Sequence, residues 1–329
     1  MKLEDFGFTE AEAEALAEGG WSRGDCARVI RAERGQVATL GEMGERVSVV
    51  PGTLKAGDGA PTTGDWVVLS DRGAVLTVLP RRTRFVRRAA GLRTEAQVVA
   101  ANVDLAFVLT GLDGDFNLRR IERYLTLVGE SGARAVVLLT KAAACAEREL
   151  RVAQAKDVAP GSDVHAIDVV DGIAPDAPRA YLGPGITACV LGSSGVGKST
   201  LVNYLVGHDV AKTKAVREHD DRGKHTTSRR ELHLLPEGGA ILDTPGMREL
   251  SIWGDATSLS ASFPDVVALA EACRFRDCRH GKEPGCAVRD AIDRKAISPD
   301  RVDSYLGLLS EIEATEKARV EKSRRKRDR

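Results

Sequence analysis

One nine-residue stretch restricts what this chain can fold into: GSSGVGKST at residues 192–200. It fits the pattern GxxxxGK(S/T), which works only between a strand and a helix, where a glycine-rich turn presents backbone N–H groups to an anion at the helix N-terminus. Both flanks are present: ITACVLG runs into the turn and STLVNYLVG leads out of it. Gly192, Gly195 and Gly197, with Ser193, Ser194 and Val196 between them, let the backbone wrap a phosphate. Lys198 supplies a point charge for β/γ-phosphates, Ser199 a hydroxyl for Mg²⁺, and the motif ends at Thr200. The rival reading, a glycine-rich turn that matches by chance, does not require those flanks.

The surrounding pattern agrees with a doubly wound α/β unit. VDLAFVLTGL, RAVVLLT, VHAID, ITACVLG, RELHLLP and GGAILD read as strands, mostly separated by helix-like segments. Residues 117–132 carry Leu118, Ile121, Leu125 and Val128 on one helical face. Ahead of this region, residues 25–90 show short strand patterns (VSVV, DWVVL, AVLTVLP) broken by glycine turns, the signature of a small β-barrel. Thr9 and Glu12 form a possible capping box for a first helix, with Phe8 as its staple. Ser298-Pro299 starts a last helix with Val302, Tyr305, Leu309 and Ile312 as its stripe.

Net charge is zero, but the charge is unevenly placed. Residues 81–93 hold six arginines and no acid, and residues 317–329 hold eight basic residues against two acids. Such blocks suit a polyanionic partner or form a solvated linker and tail. No apolar run approaches membrane-spanning length, and the mixed-charge start MKLEDFGF lacks a signal region. The six cysteines form no disulfide framework. A cytoplasmic protein without membrane contact is the expectation.

Two more segments belong with the phosphate loop. Asp243 opens DTPG behind the apolar run GGAIL, where an acid at a strand end holds Mg²⁺ and Gly246 offers its N–H to a γ-phosphate. Between the two lies RGKHTTSRREL, in which Thr226 or Thr227 is placed to give a second Mg²⁺ hydroxyl. Met247 follows DTPG, and a thioether cannot orient an attacking water. His225 is either the group that does so or a solvated loop histidine. Near the C-terminus, Cys273, Cys278, His280 and Cys286 supply three thiolates and an imidazole, a closed tetrahedral set for one structural zinc ion.

Taken together, PTTGDWVVL, AANVD, LGSSGVGKSTLVN, RGKHTT, LDTPGMREL and the cysteine cluster resemble the ribosome small-subunit-dependent GTPase A family (RsgA, also called YjeQ) over nearly the whole chain. The resemblance implies a multidomain α/β protein. Residues 1–24 would be a helical extension, 25–92 an OB-like β-barrel that contacts ribosomal RNA, 93–255 a circularly permuted P-loop GTPase domain, and 256–329 a zinc-binding helical domain with a basic tail. It also implies GTP hydrolysis with Mg²⁺, stimulated by the small ribosomal subunit during late maturation, by a monomer. The permutation places base recognition before the phosphate loop, at Thr140, Lys141, Ala142 and Ala143. It also leads the segment after DTPG directly into the zinc domain.

The family pattern at that point is Asn/Thr-Lys-x-Asp, and Ala143 stands where the aspartate belongs. Asp168, in IDVVDG, occupies an unusual downstream loop and has no assigned contact. Trp66 reads equally as core or as a stacking platform. Two other readings remain: a P-loop ATPase or NTPase of relaxed base specificity, and a zinc-containing RNA-binding protein with a vestigial nucleotide site.

Overall fold

The computed structural model describes residues 2–54, 59–88, 96–210, 230–243 and 256–327. Helix α1 (Glu10–Glu18) begins at the capping box, where the Thr9 N–H donates to Glu12 Oε2 at 2.8 Å beside the buried Phe8. Five short strands follow: β1 (Cys26–Glu33), β2 (Gln36–Gly41), β3 (Gly44–Val49), β4 (Trp66–Leu69) and β5 (Val75–Val78). β1 pairs antiparallel with β2 and β4, β2 with β3, and β4 with β5. A bridge between Val49 and Ala74 joins the end of β3 to the start of β5. The strands therefore close into a ring ordered β1-β2-β3-β5-β4. Its lining includes Ala27, Val29, Val37, Val67, Leu69 and Val75, so alternate residues of half-apolar strands meet in one small core. Trp66 is fully buried, edge-on to Phe8 at 5.3 Å between ring centroids, which decides between its two readings in favour of core.

β6 (Arg84–Arg88) and β7 (Ala96–Ala101) pair with each other antiparallel. The chain then alternates: β8 (Leu105–Gly111), α2 (Leu118–Ser131), β9 (Arg134–Thr140), α3 (Arg148–Val158), β10 (Asp163–Ala166), β11 (Thr187–Gly192), α4 (Lys198–Val206), β12 (Glu231–Leu234) and β13 (Ala240–Asp243). They order as β10-β9-β8-β11-β13-β12, with β12 antiparallel to β13 and the other neighbours parallel. Phe107, Leu109, Val136, Leu138 and Val190 pack with Leu201 and Leu205 of α4 in one cluster. The alternate residues Val108, Val137, Leu139 and Leu191 pack with Ile121, Leu125 and Val128 of α2 in another. Burial on both faces is why these strands read as continuous apolar runs. α2 is closed at both ends. The Asn117 side chain accepts the Arg120 N–H at 3.0 Å, and Gly132 stops the helix at φ 85°.

The ring and the sheet are stitched together. β1 pairs with β12 at Arg31–Glu231, reinforced by an ion pair of 3.3 Å. The fully buried Arg28 donates to the carbonyls of Phe6, Gly64 (3.4 Å) and Asn102 (2.8 Å), joining three separate segments. Burial pushes its guanidinium down to about 10, so it stays charged at neutral pH. Two arginines of the basic stretch are engaged internally as well: Arg81 with Asp65 at 2.7 Å, and Arg82 with Glu12 at 3.1 Å and Asp104 at 2.8 Å.

The C-terminal region holds α5 (Ala256–Ser262), α6 (Pro264–Glu271), α7 (Ala287–Asp293) and α8 (Pro299–Arg327). Val302, Leu308 and Ile312 of α8 are buried, with Tyr305 and Leu309 packed beside them, so the expected stripe is the face that docks. At the foot of α8, Arg301 donates to Glu122 of α2 at 2.7 Å and to Asp265 of α6 at 2.6 and 2.8 Å, with its guanidinium over Phe263. Burial raises the Glu122 carboxyl above its usual range. Removing one member of such a buried pair typically costs about 3–5 kcal/mol, so this junction fixes how the last helices sit on the sheet.

Candidate functional site

The parallel strands β8, β9, β10, β11 and β13 all end at one edge of the sheet, and ligands of open α/β sheets bind outside such carboxyl ends. The phosphate loop leaves β11 there. Gly192 has φ 151°, and a Cβ on it would lie 2.7 Å from the Leu109 carbonyl oxygen, so only glycine lets the loop pass β8. Gly197, at φ 101°, makes the last turn into α4. Val196 is buried beneath the loop, while Ser194, Gly195, Ser199 and Thr200 are exposed. Lys198 curls back so that its Nζ donates to the carbonyls of Gly192 (2.9 Å) and Ser193. An ammonium is thus held inside a loop at a helix N-terminus, an arrangement that attracts anionic oxygen.

The segment Thr140–Ala143 sits beside the loop although it lies some fifty residues away in sequence. Thr140 ends β9 and its Oγ1 donates to the Val196 carbonyl at 2.7 Å, a bond buried on both sides. Lys141 takes a left-handed conformation, φ 59°, and its Nζ meets Asp113 Oδ2 at 2.7 Å. That hydrogen bond holds the Asp113 carboxyl below its usual range. Ala142 is fully buried, and the exposed Ala143 donates its N–H to Asp168 Oδ2 at 3.3 Å.

Asp113 and Asp115 are contributors that sequence reasoning missed. Asp115 accepts from the Ser193 hydroxyl and pairs with Arg120 at 2.7 Å, tying the phosphate loop to the start of α2. In sequence, GLDGDFN is an acid-rich turn between a strand and a helix; only the strand order β8-β11 brings it over the loop.

Asp243 ends β13, half-buried, with Leu242 registered against Cys189 of β11. It therefore stands at the same sheet edge as Ser199, and both offer the hard oxygen donors that Mg²⁺ takes. His225, Thr226, Thr227, Gly246 and Met247 lie outside the described residues. Clefts of about 510 Å³, beside Arg81–Arg84, and about 670 Å³, between α2, α3 and α8, lie away from the loop; donor chemistry rather than concavity marks the site.

The ligand atoms of Cys273, Cys278, His280 and Cys286 all lie within 4.8 Å of one another. Cys273 and Cys286 Sγ are 4.0 Å apart and stand 3.6 and 3.5 Å from His280 Nδ1. A tetrahedral centre with metal–sulfur bonds near 2.3 Å and metal–nitrogen bonds near 2.0 Å requires separations of about 3.8 and 3.5 Å. These four side chains could hold a metal ion without moving far.

The sequence model of the RsgA GTPase family matches residues 78–253, more than half of the chain. The chain belongs to the RsgA GTPase family. Relatives agree. The proteins called small ribosomal subunit biogenesis GTPase RsgA from Xanthomonas oryzae pv. oryzae and Xanthomonas axonopodis pv. citri are 48% and 49% identical to it over 250 residues, spanning 76% of this chain and 69% of theirs. Two solved structures share the fold. YjeQ from Thermotoga maritima superposes with a TM-score of 0.64 at 22% identity, over 88% of this chain and 98% of its own. YloQ, described as a circularly permuted GTPase, superposes at 0.60 and 21%, over 88% and 95%. In this RsgA-family chain, the strand that carries the Thr140 segment precedes the phosphate-loop strand.

Proposed function

We propose that this chain binds the small ribosomal subunit, assists its late maturation and hydrolyses GTP to GDP and phosphate, with release accompanying hydrolysis. The observation that carries the reading is the Thr140–Val196 hydrogen bond, which fastens the base-recognition segment to an intact phosphate loop within a family of GTPases. The loop of residues 192–200 takes the triphosphate, with Lys198 over its β/γ-oxygens. Ser199, Asp243 and Thr226 or Thr227 hold Mg²⁺, which neutralises phosphate charge when bound. Gly246 contacts the γ-phosphate, and His225 orients the water in place of Met247. Intrinsic turnover is slow because a thioether follows DTPG, and the ribosomal subunit supplies the acceleration.

Zinc is the metal that suits Cys273, Cys278, His280 and Cys286, because three thiolates and an imidazole are soft donors and the set leaves no open position. Its role is structural. The five-strand ring supports an OB-like barrel within residues 25–92, followed by the GTPase domain to residue 255 and the zinc domain beyond it. Ribosomal RNA meets this barrel and the basic tail; with Arg81 and Arg82 engaged internally, the exposed Arg84 is the better candidate for a phosphate contact. No described helix is long and apolar enough to cross a membrane; the protein works as a cytoplasmic monomer.

Sedimentation tests the reading. With a non-hydrolysable GTP analogue the protein is expected to co-migrate with isolated small subunits, and with GDP to separate from them. Migration that ignores the nucleotide would remove the proposed link between hydrolysis and release. Ala143 keeps one alternative in play, a nucleotide hydrolase of relaxed base specificity.

A further inference from the structure

Guanine differs from adenine in presenting two donors, N1–H and the 2-amino group, on the edge a protein reads, so selecting it calls for an acceptor-only group. Ala143 has none. The structure brings a different acid to the same place. Asp168 follows β10, the strand next to β9, and is 8% exposed. Its Oδ2 accepts the Ala143 N–H at 3.3 Å. The two strand ends are laced together: the Ile167 N–H donates to Leu139 at 2.8 Å and the Ala142 N–H donates back to Ile167 at 3.3 Å. Positions 143 and 168 are therefore held side by side, with Oδ2 against the backbone N–H of residue 143.

The rest of Asp168 is built to hold that oxygen still. Oδ1 accepts the N–H groups of Val170 (3.1 Å) and Asp171 (3.2 Å), which occupies both of its lone-pair directions and fixes the plane of the carboxylate. Among the described residues Oδ2 accepts only from Ala143, at the long end of hydrogen-bonding distance, and retains capacity for a second donor. Lys141 and Thr140 flank the same spot, one toward the Asp113 loop and the other fastened to the phosphate loop.

We infer that Asp168 is the guanine-reading carboxylate of this chain, the acid having moved from the end of β9 to the end of β10 and accepting a hydrogen bond from N1–H or the 2-amino group through Oδ2. The inference rests on the GTPase reading above and deepens it, since it makes the protein guanine-specific in spite of Ala143.

Calorimetric titration of the full-length protein with GDP, XDP and ADP tests it, using Asp168→Asn and Asp168→Ser. Asparagine keeps an oxygen for the Val170 and Asp171 N–H groups and puts an amide donor in place of Oδ2, giving up the long bond from the Ala143 N–H and matching the C2 carbonyl of xanthine. Asp168→Asn is expected to lose about 10- to 100-fold in GDP affinity, the worth of one hydrogen bond to a charged group, and to gain XDP affinity while ADP is unchanged. Asp168→Ser, whose hydroxyl still serves the loop, is expected to bind GDP no better than ADP, and it carries the test if the asparagine variant does not fold. A wild type that prefers GDP, with variants that keep the preference, would overturn the role of Asp168 alone. A wild type that binds GDP and ADP equally would overturn it together with the guanine-specific reading.

Discussion

Replacing Lys198 by alanine is expected to lower single-turnover GTP hydrolysis by at least about 100-fold, the usual scale for deleting one preorganised charge at a transferring phosphoryl group. The size follows from position. The ammonium already sits within the loop, bonded to the carbonyls of Gly192 and Ser193, so its charge is held close to where phosphate oxygens would gather. Stability should barely change. The side chain is half-exposed, and neutral-acceptor bonds at such a site contribute on the order of 1 kcal/mol. Phosphate release and a thermal melt on the same preparation check both halves. Undiminished hydrolysis by a folded Lys198→Ala variant would mean that the loop is not the reacting site.

The second large effect concerns the cysteine cluster. Stripping the metal with a strong chelator, or replacing Cys286 by serine, is expected to unfold the region around residues 273–293 and loosen α8. Metal–thiolate sites in small units contribute on the order of 10 kcal/mol to folding, more than the stability of most whole domains. The segment has little else to hold it: Cys286 and Val288 are buried, whereas most residues between Cys273 and Gly285 are exposed. Because the phosphate loop and Asp168 belong to the sheet, GDP binding should survive. Amide hydrogen exchange reports the local unfolding, and metal analysis should return one zinc ion per chain. Unchanged exchange after chelation would show that the four side chains pack without a metal.

Much of this architecture was legible in the chain because its signals are local. Strand runs such as RAVVLLT are apolar throughout since helices cover both faces of a parallel sheet, and they emerge as β9 and its neighbours. The cap of α1 and the phosphate loop depend on spacings of a few residues, and the cysteine cluster shows in the same way. Contacts that join distant segments were not legible. Arg81 and Arg82 look like nucleic-acid arginines in sequence, yet they close internal ion pairs, because charge alone does not say which face a side chain occupies. Asp113 and Asp115 reach the site only through strand order. Asp168 was visible as an acid but had no role until the pairing of β9 with β10 set it against Ala143. Trp66 could be placed only once Phe8 was seen to cover it.

We propose that this RsgA-family chain is a slow GTPase whose chemistry is completed by the small ribosomal subunit. Steady-state GTP hydrolysis by the purified full-length protein, measured with and without isolated small subunits at fixed Mg²⁺ and salt, tests it most directly. The expected result is low turnover alone and a rise of at least about tenfold with subunits, as when a partner supplies a charge-stabilising group or orders the one that holds the water. Equal turnover in both conditions would mean that the subunit adds nothing to the chemistry.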